Sequence, residues 1–168
     1  MAIRSFQGIA PTLGDRVYVD AAATIIGDVV LGDDVSIWPG TVVRGDVNFV
    51  RIGARSNIQD GAVIHCTYQK AATTIGNNVS IGHRALVHGC TVEDNVLIGM
   101  GAIVMDNAVV QTKALVAAGA IVLENTICES GYIYAGIPAR KVKALSAEQL
   151  SGLEKTADNY VLYGSWFR

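Results

Sequence analysis

Branched aliphatic residues recur along this chain at intervals of six residues. Seventeen units of six residues, each beginning with Val, Ile or Leu, lie between Val19 and Ile127. The units begin at Val19, Ile25, Leu31, Ile37, Val43, Ile52, Ile58, Ile64, Ile75, Ile81, Val87, Val92, Ile98, Val104, Val110, Val116 and Val122. The fifth residue is small or β-branched in sixteen of the seventeen, and the exception is Tyr68. A period of six is typical neither of a helix nor of simple strand alternation, and it predicts a parallel β-helix of hexapeptide repeats.

The repeat predicts a triangular prism, because three short units complete one turn of such a helix. The aliphatic residues that begin the units point inward and fill the axis, and neighbouring turns stack at the strand spacing of about 4.8 Å. Seventeen units at three per turn give about six turns. Glycines at or near the corners, such as Gly53, Gly76 and Gly99, are expected to adopt positive φ angles.

The rest of the chain is arranged around this repeat. Residues 1–18 form a lead-in, and an exit segment over residues 128–143 follows the last unit. We expect an all-β fold with a β-helix domain over residues 1–143, including the lead-in and exit segments. Residues 144–168 are expected to form a C-terminal α-helix that packs on the prism.

The predicted helix carries a start signal and an apolar stripe. Ser146 and Gln149 have the spacing of a capping box, and Leu145 and Leu150 have that of a hydrophobic staple. The stripe consists of Leu150, Leu153, Ala157, Tyr160 and Val161. We expect the helix to cover the terminal turn of the prism, because an open strand edge pairs readily with other chains.

The period of six slips at three places, where loops are expected to leave the prism. Three extra residues precede Ile52, five lie between Ile64 and Ile75, and one is missing before Val92. The longest loop should therefore lie around residues 68–74. Residues that project from one face near such a slip are candidates for function.

Composition narrows the class of protein. The formal charge is −2 with both signs interspersed, which argues against nucleic acid and anionic membranes as partners. No apolar stretch reaches the roughly 18 residues of a membrane span, and the N-terminus lacks the apolar core of a signal peptide. The three cysteines, Cys66, Cys90 and Cys128, have no disulfide-like spacing, and Cys66 is expected to be a small buried residue. We therefore expect a cytoplasmic protein.

All three histidines of the chain, His65, His83 and His88, fall within 24 residues. Counting units onto faces places Arg44, His65 and His88 in one outward-pointing column, whereas Asp60 and His83 stack on the preceding face. His65 and His88 should lie one strand spacing apart, which suits two ligands of one metal ion. Three prisms about a threefold axis can bring His83 of a neighbour to them. We infer a homotrimer with a zinc-type site of three histidines at each subunit interface and a fourth position for water.

Polar residues near this column support the inference. Arg44 and Asp46 are suited to pair with each other or across an interface. Gln59 is placed to hydrogen-bond a metal-bound hydroxide, and Asp60 to orient a ligand. The alternative interpretation is that the histidines are scattered surface residues and that Arg44, Asp46 and Asp60 form only salt bridges of a trimer.

In order along the chain, these residues resemble the motifs of the γ-class carbonic anhydrases. The motifs that carry the resemblance are Arg44-Gly-Asp46, Ile52-Gly53, Asn57-Ile-Gln59-Asp60, Val63-Ile-His65, Ile75-Gly76-Asn-Asn-Val79, Gly82-His83 and Val87-His88-Gly89-Cys90. The closing part most closely resembles the bacterial YrdA-like branch, through Ile98-Gly-Met100-Gly, Tyr134-Ala-Gly136-Ile-Pro138-Ala and Asn159-Tyr160-Val161.

The resemblance implies a left-handed β-helix, an exception to the usual right-handed crossover, and a homotrimer with three interfacial metal sites. It implies that His65 and His88 of one subunit bind the metal together with His83 of the next. It also implies that Gln59 and Asp60 lie near the metal-bound solvent.

The same resemblance implies interface pairs formed by Arg44 and Asp46.

The chain departs from the family pattern at two positions that concern proton transfer, because Val47 and Tyr68 stand where the archetypal enzymes carry glutamates. The loop after Tyr68 also carries no acidic residue. Tyr160 loosely matches a family tyrosine near the site and is a candidate substitute.

These expectations favour reversible hydration of CO₂ to bicarbonate by a metal-bound hydroxide. Zn²⁺, Fe²⁺ and Co²⁺ are all compatible with three histidines and open positions. A hexapeptide acyltransferase with a histidine general base explains the prism but not the convergence of three histidines. A non-catalytic metal-binding trimer is the remaining alternative, and metal analysis combined with a CO₂ hydration assay separates the three.

Overall fold

Short parallel strands make up most of the molecule. The computed structural model describes residues 2–167, in which twenty β-strands precede one α-helix. The first ten strands are β1 (Ala2–Arg4), β2 (Thr12–Leu13), β3 (Tyr18–Val19), β4 (Thr24–Leu31), β5 (Ser36–Ile37), β6 (Val42–Ile52), β7 (Asn57–Ile58), β8 (Val63–His65), β9 (Thr73–Ile75) and β10 (Ser80–Ile81). The remaining elements are β11 (Leu86–His88), β12 (Thr91–Val92), β13 (Leu97–Ile98), β14 (Ile103–Val104), β15 (Val109–Val110), β16 (Leu115–Val116), β17 (Ile121–Val122), β18 (Ile127–Cys128), β19 (Tyr132–Ala135), β20 (Arg140–Ala144) and α1 (Ala147–Ser165).

The strands stack into three faces. The helix-bearing face consists of β3, β5, β7, β10, β13, β16 and β19. The histidine face consists of β1, the first halves of β4 and β6, and then β8, β11, β14 and β17. The polar face consists of β2, the second halves of β4 and β6, and then β9, β12, β15 and β18. Because β4 and β6 run round one corner, they join two of the faces into one sheet.

The six-residue period correctly predicts the core. Every residue that begins a unit is buried except Val19, which is partly buried against the same core. The helix-bearing face contains seven parallel strands, so within residues 2–167 the prism has about seven turns rather than six. The additional strands come from the lead-in, which supplies β1 and β2, and from the exit segment, which supplies β19. The predicted all-β parallel β-helix with a C-terminal helix is confirmed.

The expected positive φ angle is present at the corner glycine Gly27, at 77°, but not at the three glycines named above. Gly53, Gly76 and Gly99 do not have positive φ angles, whereas Asn78 and Asn95 do. A Cβ atom at Gly53 would lie 2.6 Å from the backbone of Gly76, and one at Gly99 would lie 2.4 Å from a backbone nitrogen of the next turn. These corners need glycine because successive turns approach too closely for a side chain.

The slips in the repeat have two different structural outcomes. The three residues before Ile52 do not form a loop, because β6 continues through them and its register against β4 shifts there. The longer insertion does leave the prism, and an isolated bridge between Thr67 and Ala71 closes it. This second slip places a short loop directly after His65.

Helix α1 begins where the sequence predicts, but it packs against a different part of the prism from the one expected. Ser146 is the N-cap, and both hydrogen bonds of the capping box with Gln149 are present. The expectation that the helix covers the terminal turn is wrong, because α1 packs along the helix-bearing face against β5, β7 and β10. Tyr160 stacks edge-on against Trp38 of that face, with ring centroids 5.4 Å apart. No helix in residues 2–167 is long and apolar enough to cross a bilayer.

Candidate metal centre

His65 and His88 lie side by side on the histidine face. They are partners in the parallel register of β8 and β11, and both follow an inward-pointing aliphatic residue. Their ring centroids are 5.1 Å apart, and Nδ1 of His65 is 3.2 Å from Nε2 of His88. The register predicted from the repeat therefore places two imidazole nitrogens against each other.

A carboxylate contacts the other nitrogen of each of these two rings. Nε2 of His65 is 3.0 Å from Oδ1 of Asp46, and Nδ1 of His88 is 2.7 Å from Oδ1 of Asp106. An ionised carboxylate only accepts hydrogen bonds, so each contact places the ring proton on the nitrogen beside the carboxylate. The two nitrogens that face each other then carry lone pairs, and only a cation or an additional proton between them relieves the repulsion.

His83 lies at the corner between the helix-bearing face and the histidine face. Its Nδ1 is 2.9 Å from Oδ2 of Asp60, which confirms the predicted stacking of these residues. His83 and Arg84 form the turn at this corner, and β11 then carries His88 away from it along the histidine face. Within residues 2–167 no group of three histidine, cysteine or acidic side chains is arranged to hold a metal ion. One chain therefore brings two histidines together and presents the third at a separate edge.

Arg44 and Asp46 pair within the chain. Nη1 of Arg44 is 2.5 Å from Oδ2 of Asp46, while the other oxygen of Asp46 contacts His65. Burial raises the pKa of Asp46, but hydrogen bonds from Arg44 and His65 outweigh it and hold the pKa below its usual range. Burial lowers the pKa of His65, and the positive charge of Arg44 lowers it further. Both shifts favour an ionised Asp46 beside a neutral imidazole, the form in which histidine binds metals.

Gln59 and Tyr160 line a groove that reaches His83. The groove has a volume of about 390 Å³, and its apolar walls include Leu97, Leu115 and Met100. Gln59 is 5% exposed and donates a hydrogen bond from Nε2 to Asn57. Asn57 in turn donates to the hydroxyl of Ser80. This chain of bonds leaves the side-chain oxygen Oε1 of Gln59 available as an acceptor.

The phenol of Tyr160 stays protonated at neutral pH. Burial raises its pKa, and the negative charge of Asp60 raises it further. Gln59, His83 and Tyr160 line the groove, and Asp60 contacts His83, so the structure brings these four residues together. These four residues lie at a different corner from His65, His88, Arg44 and Asp46.

The donor set fits a zinc-type ion. Two imidazole nitrogens bound about 2.0–2.1 Å from one tetrahedral ion lie about 3.3 Å apart. The observed separation of 3.2 Å between His65 and His88 agrees with this spacing. Metal-binding histidines also characteristically direct their second nitrogen to a carboxylate or carbonyl, as all three do here with Asp46, Asp60 and Asp106.

Sequence reasoning missed Asp106 and Thr67. Asp106 contacts His88 from the next turn of the prism, eighteen residues later. Oγ1 of Thr67 donates to the second carboxylate oxygen of Asp106 at 2.5 Å. One turn spans seventeen residues here, because one residue is missing before Val92, so Asp106 lies one place beyond the residue level with His88. Counting this turn was the available signal. At the two positions without the family glutamates, Tyr68 is 64% exposed and Val47 packs against the core.

The prism of short repeats defines a hexapeptide-repeat β-helix protein. The family model "Bacterial transferase hexapeptide (six repeats)" matches residues 10–45. The crystal structure of a hexapeptide transferase family protein from Anaplasma phagocytophilum superposes with a TM-score of 0.96 at 37% identity, over 99% of this chain and 98% of that chain. The fold is thus the left-handed β-helix of this class.

Two relatives narrow the family. Protein YrdA of Escherichia coli is 46% identical over 165 residues, covering 95% of this chain and 90% of the relative. A probable carbonic anhydrase of Methanocaldococcus jannaschii is 46% identical over 149 residues, covering 89% of this chain and 93% of the relative. The chain belongs to the γ-class carbonic anhydrase family of hexapeptide-repeat proteins.

Proposed function

We propose that this protein is a metal-dependent, γ-class carbonic anhydrase-like enzyme that catalyses the reversible hydration of CO₂ to bicarbonate. His65 and His88 of one subunit and His83 of the next hold the ion in a homotrimer. The observation that carries the proposal is the 3.2 Å approach of Nδ1 of His65 to Nε2 of His88, with a carboxylate behind each ring. Such a pair is built to hold a cation.

The surface around the two histidines supports a trimer. On the histidine face, five successive strands carry an aliphatic outward residue in one column, which continues to Thr24 at its lower end. The five residues are Val42, Val63, Leu86, Ile103 and Ile121. The helix-bearing face is covered by α1, and the polar face carries outward residues such as Arg51, Thr74 and Thr91. A second copy of this chain is the occupant we propose for the aliphatic column, because its His83 corner completes the donor set beside that column.

Zn²⁺ is the ion we propose, with Fe²⁺ or Co²⁺ as substitutes that the same ligands accept. Bound in this way, such an ion would lower the pKa of a coordinated water to about 7 and would supply hydroxide at neutral pH. Asp46, Asp106 and Asp60 keep the three imidazoles in the tautomers whose remaining nitrogens face the ion.

The other residues of the site bind and orient the reactants. The side-chain oxygen Oε1 of Gln59, fixed by the bond to Asn57, accepts a hydrogen bond and orients the attacking oxygen. Leu97, Leu115 and Met100 provide an apolar wall that binds CO₂ and excludes water. Tyr160 donates its hydroxyl hydrogen to a bicarbonate oxygen, because its raised pKa keeps the phenol protonated. Arg44 balances the charge of Asp46 behind His65.

The release of the proton is the slow step that we expect. Val47 and Tyr68 stand where the archetypal enzymes of the family carry glutamates for proton transfer, and neither is acidic. Buffer in solution must therefore accept the proton. We also propose a cytoplasmic location, supported by Cys66, Cys90 and Cys128, which are free and buried.

The decisive experiment combines elemental analysis with a stopped-flow CO₂ hydration assay. We expect one zinc per subunit and measurable hydration, and loss of both in His88→Ala. Hydration that survives complete removal of the metal would contradict the proposal.

A second candidate is a metal-binding trimer without catalysis. One observation favours it: the loop that begins at Tyr68 is exposed and carries no acidic residue. Stoichiometric zinc without hydration in any buffer would select this alternative.

A further inference from the structure

Asp106 is the one carboxylate partner of a histidine that the sequence motifs leave out. It lies on the turn above His88, between β14 and β15. Resting on the proposed function, we propose that Asp106 is a positioning residue, clamped by Thr67, that fixes the tautomer and orientation of His88 for metal binding. Its role is to act through His88 and not to touch the ion or the substrate.

The first argument is the contact geometry. Asp106 uses its two oxygens for two different partners, with Oδ1 2.7 Å from Nδ1 of His88 and Oδ2 2.5 Å from the hydroxyl of Thr67. The amide of Asn107 donates to the carbonyl of Gly89 at 2.7 Å. This backbone bond fixes the turn that carries Asp106 directly over the segment that follows His88.

The second argument is the space provided for the carboxylate. A Cβ atom at Gly89 would lie 2.4 Å from Oδ1 and 2.8 Å from Cγ of Asp106. Any side chain at this position would therefore push the carboxylate away from His88. The glycine also has a φ of 58°, a conformation that it adopts at low cost.

The third argument concerns the proton on His88. A carboxylate can only accept, so it selects the imidazole with hydrogen on Nδ1 and a lone pair on Nε2. An asparagine at this position has one acceptor and one donor end. Because the hydroxyl of Thr67 already donates to the far oxygen, the amide oxygen is drawn to Thr67 and its NH₂ group turns to His88. The NH₂ group then selects the opposite tautomer, with hydrogen on Nε2, which must give up that hydrogen before Nε2 can bind a metal.

Asp94 provides a matched control. A Cβ atom at Gly76 would lie 2.3 Å from Oδ1 of Asp94, nearly the same approach as that between Gly89 and Asp106. Asp94 accepts a bond from the backbone nitrogen of Asn77 and contacts no histidine. Asp94→Asn thus removes an equivalent stacked carboxylate and leaves His88 untouched.

The test uses the full-length protein with two readouts. Nitrogen-15 NMR of metal-free protein reports which ring nitrogen of His88 carries hydrogen, and competition with a chelator gives the zinc affinity. We expect Nδ1–H in the wild type and Nε2–H in Asp106→Asn, with zinc affinity lower by about 10–100-fold in the variant. Asp94→Asn should match the wild type. Thr67→Val should keep the Nδ1–H tautomer and lose affinity by a smaller factor.

Two results would overturn the assignment: Nε2–H on His88 in the wild type, or equal zinc affinity in Asp106→Asn and Asp94→Asn. If the wild type binds no zinc, the proposed function fails, and the tautomer measurement alone decides the role of Asp106. If Asp106→Asn does not fold, Thr67→Val decides, and an unchanged zinc affinity there contradicts the clamp.

Discussion

The ring nitrogens Nδ1 of His65 and Nε2 of His88 approach to 3.2 Å on adjacent strands of one face. Neither nitrogen has a hydrogen to offer the other while Asp46 and Asp106 hold the ring protons on the far sides. His83 contacts Asp60 at a separate corner of the same chain. The arrangement presents two imidazoles at one surface and a third at another.

A site divided between subunits predicts complementation between variants. Each of His65→Ala, His83→Ala and His88→Ala should lose zinc as a homotrimer. Co-expression of His65→Ala with His83→Ala in equal amounts should restore about a quarter of the sites, because one interface of each mixed ring is intact. Elemental analysis of the purified mixture measures this recovery.

The matched control for complementation is a mixture of His65→Ala and His88→Ala. Both residues must come from one subunit, so this mixture contains no intact interface and should bind no zinc. Recovery of zinc in the control mixture, or none in the first mixture, contradicts the division of ligands.

The aliphatic column of the histidine face predicts where subunits associate. Val63 is 36% exposed in the single chain, and Val63→Arg places a charge in the middle of the column. Burying an unpaired charge costs about 3–5 kcal/mol, so the trimer should dissociate at concentrations where the wild type remains intact. Light scattering after size-exclusion chromatography measures the mass.

Thr91→Arg is the control for this charge, because Thr91 is exposed on the polar face. Its mass should equal that of the wild type. A trimeric Val63→Arg, or dissociation in both variants, would show that the histidine face is not the interface.

The sequence predicted the prism well because its information is local and periodic. The period of six alone identifies each residue that points into the core, such as Ile58 or Ile81. Strand β1 was missed because its residues lie outside that period, whereas Leu13 of β2 lies six residues before Val19 and continues it. The lateral position of α1 was missed because it depends on the contact between Trp38 and Tyr160, which no spacing encodes.

The candidate site was predicted in part for the same reason. The register of His65 and His88 follows from counting, and so does the stacking of His83 on Asp60. The contact between Asp106 and His88 lies across a turn whose length varies, with contacts between turns spanning 17 to 23 residues. One sequence without the structure does not fix which acid lies above which histidine.

The missing acid in the loop predicts a dependence on buffer. Hydration releases a proton, and no carboxylate at position 47 or 68 accepts it. The stopped-flow rate should therefore rise strongly with imidazole concentration at constant ionic strength. Tyr68→Glu should raise the rate in weak buffer several-fold and reduce the dependence on buffer, because a carboxylate near His65 relays the proton.

Tyr68→Gln is the control, because glutamine has the shape of glutamate without a titratable group. Equal rates in weak and strong buffer for the wild type would remove release of the proton as the slow step. A gain in Tyr68→Gln equal to that in Tyr68→Glu would assign the effect to loss of the tyrosine.

Two glycines in different surroundings predict opposite changes in the free energy of unfolding. Gly53→Ala places a Cβ atom 2.6 Å from the backbone of the next turn, which must shift, so we expect a loss of about 1–3 kcal/mol. Gly152→Ala adds a Cβ atom within α1 that meets nothing within 4 Å. This change should stabilise the protein by about 0.5–1 kcal/mol, because alanine loses less backbone entropy in a helix. Urea unfolding measures both changes in the free energy of unfolding. All variants are compared at one protein concentration, which holds the contribution of subunit dissociation constant. A neutral Gly53→Ala would mean that the turns separate without cost, in contradiction of the close approach at this corner.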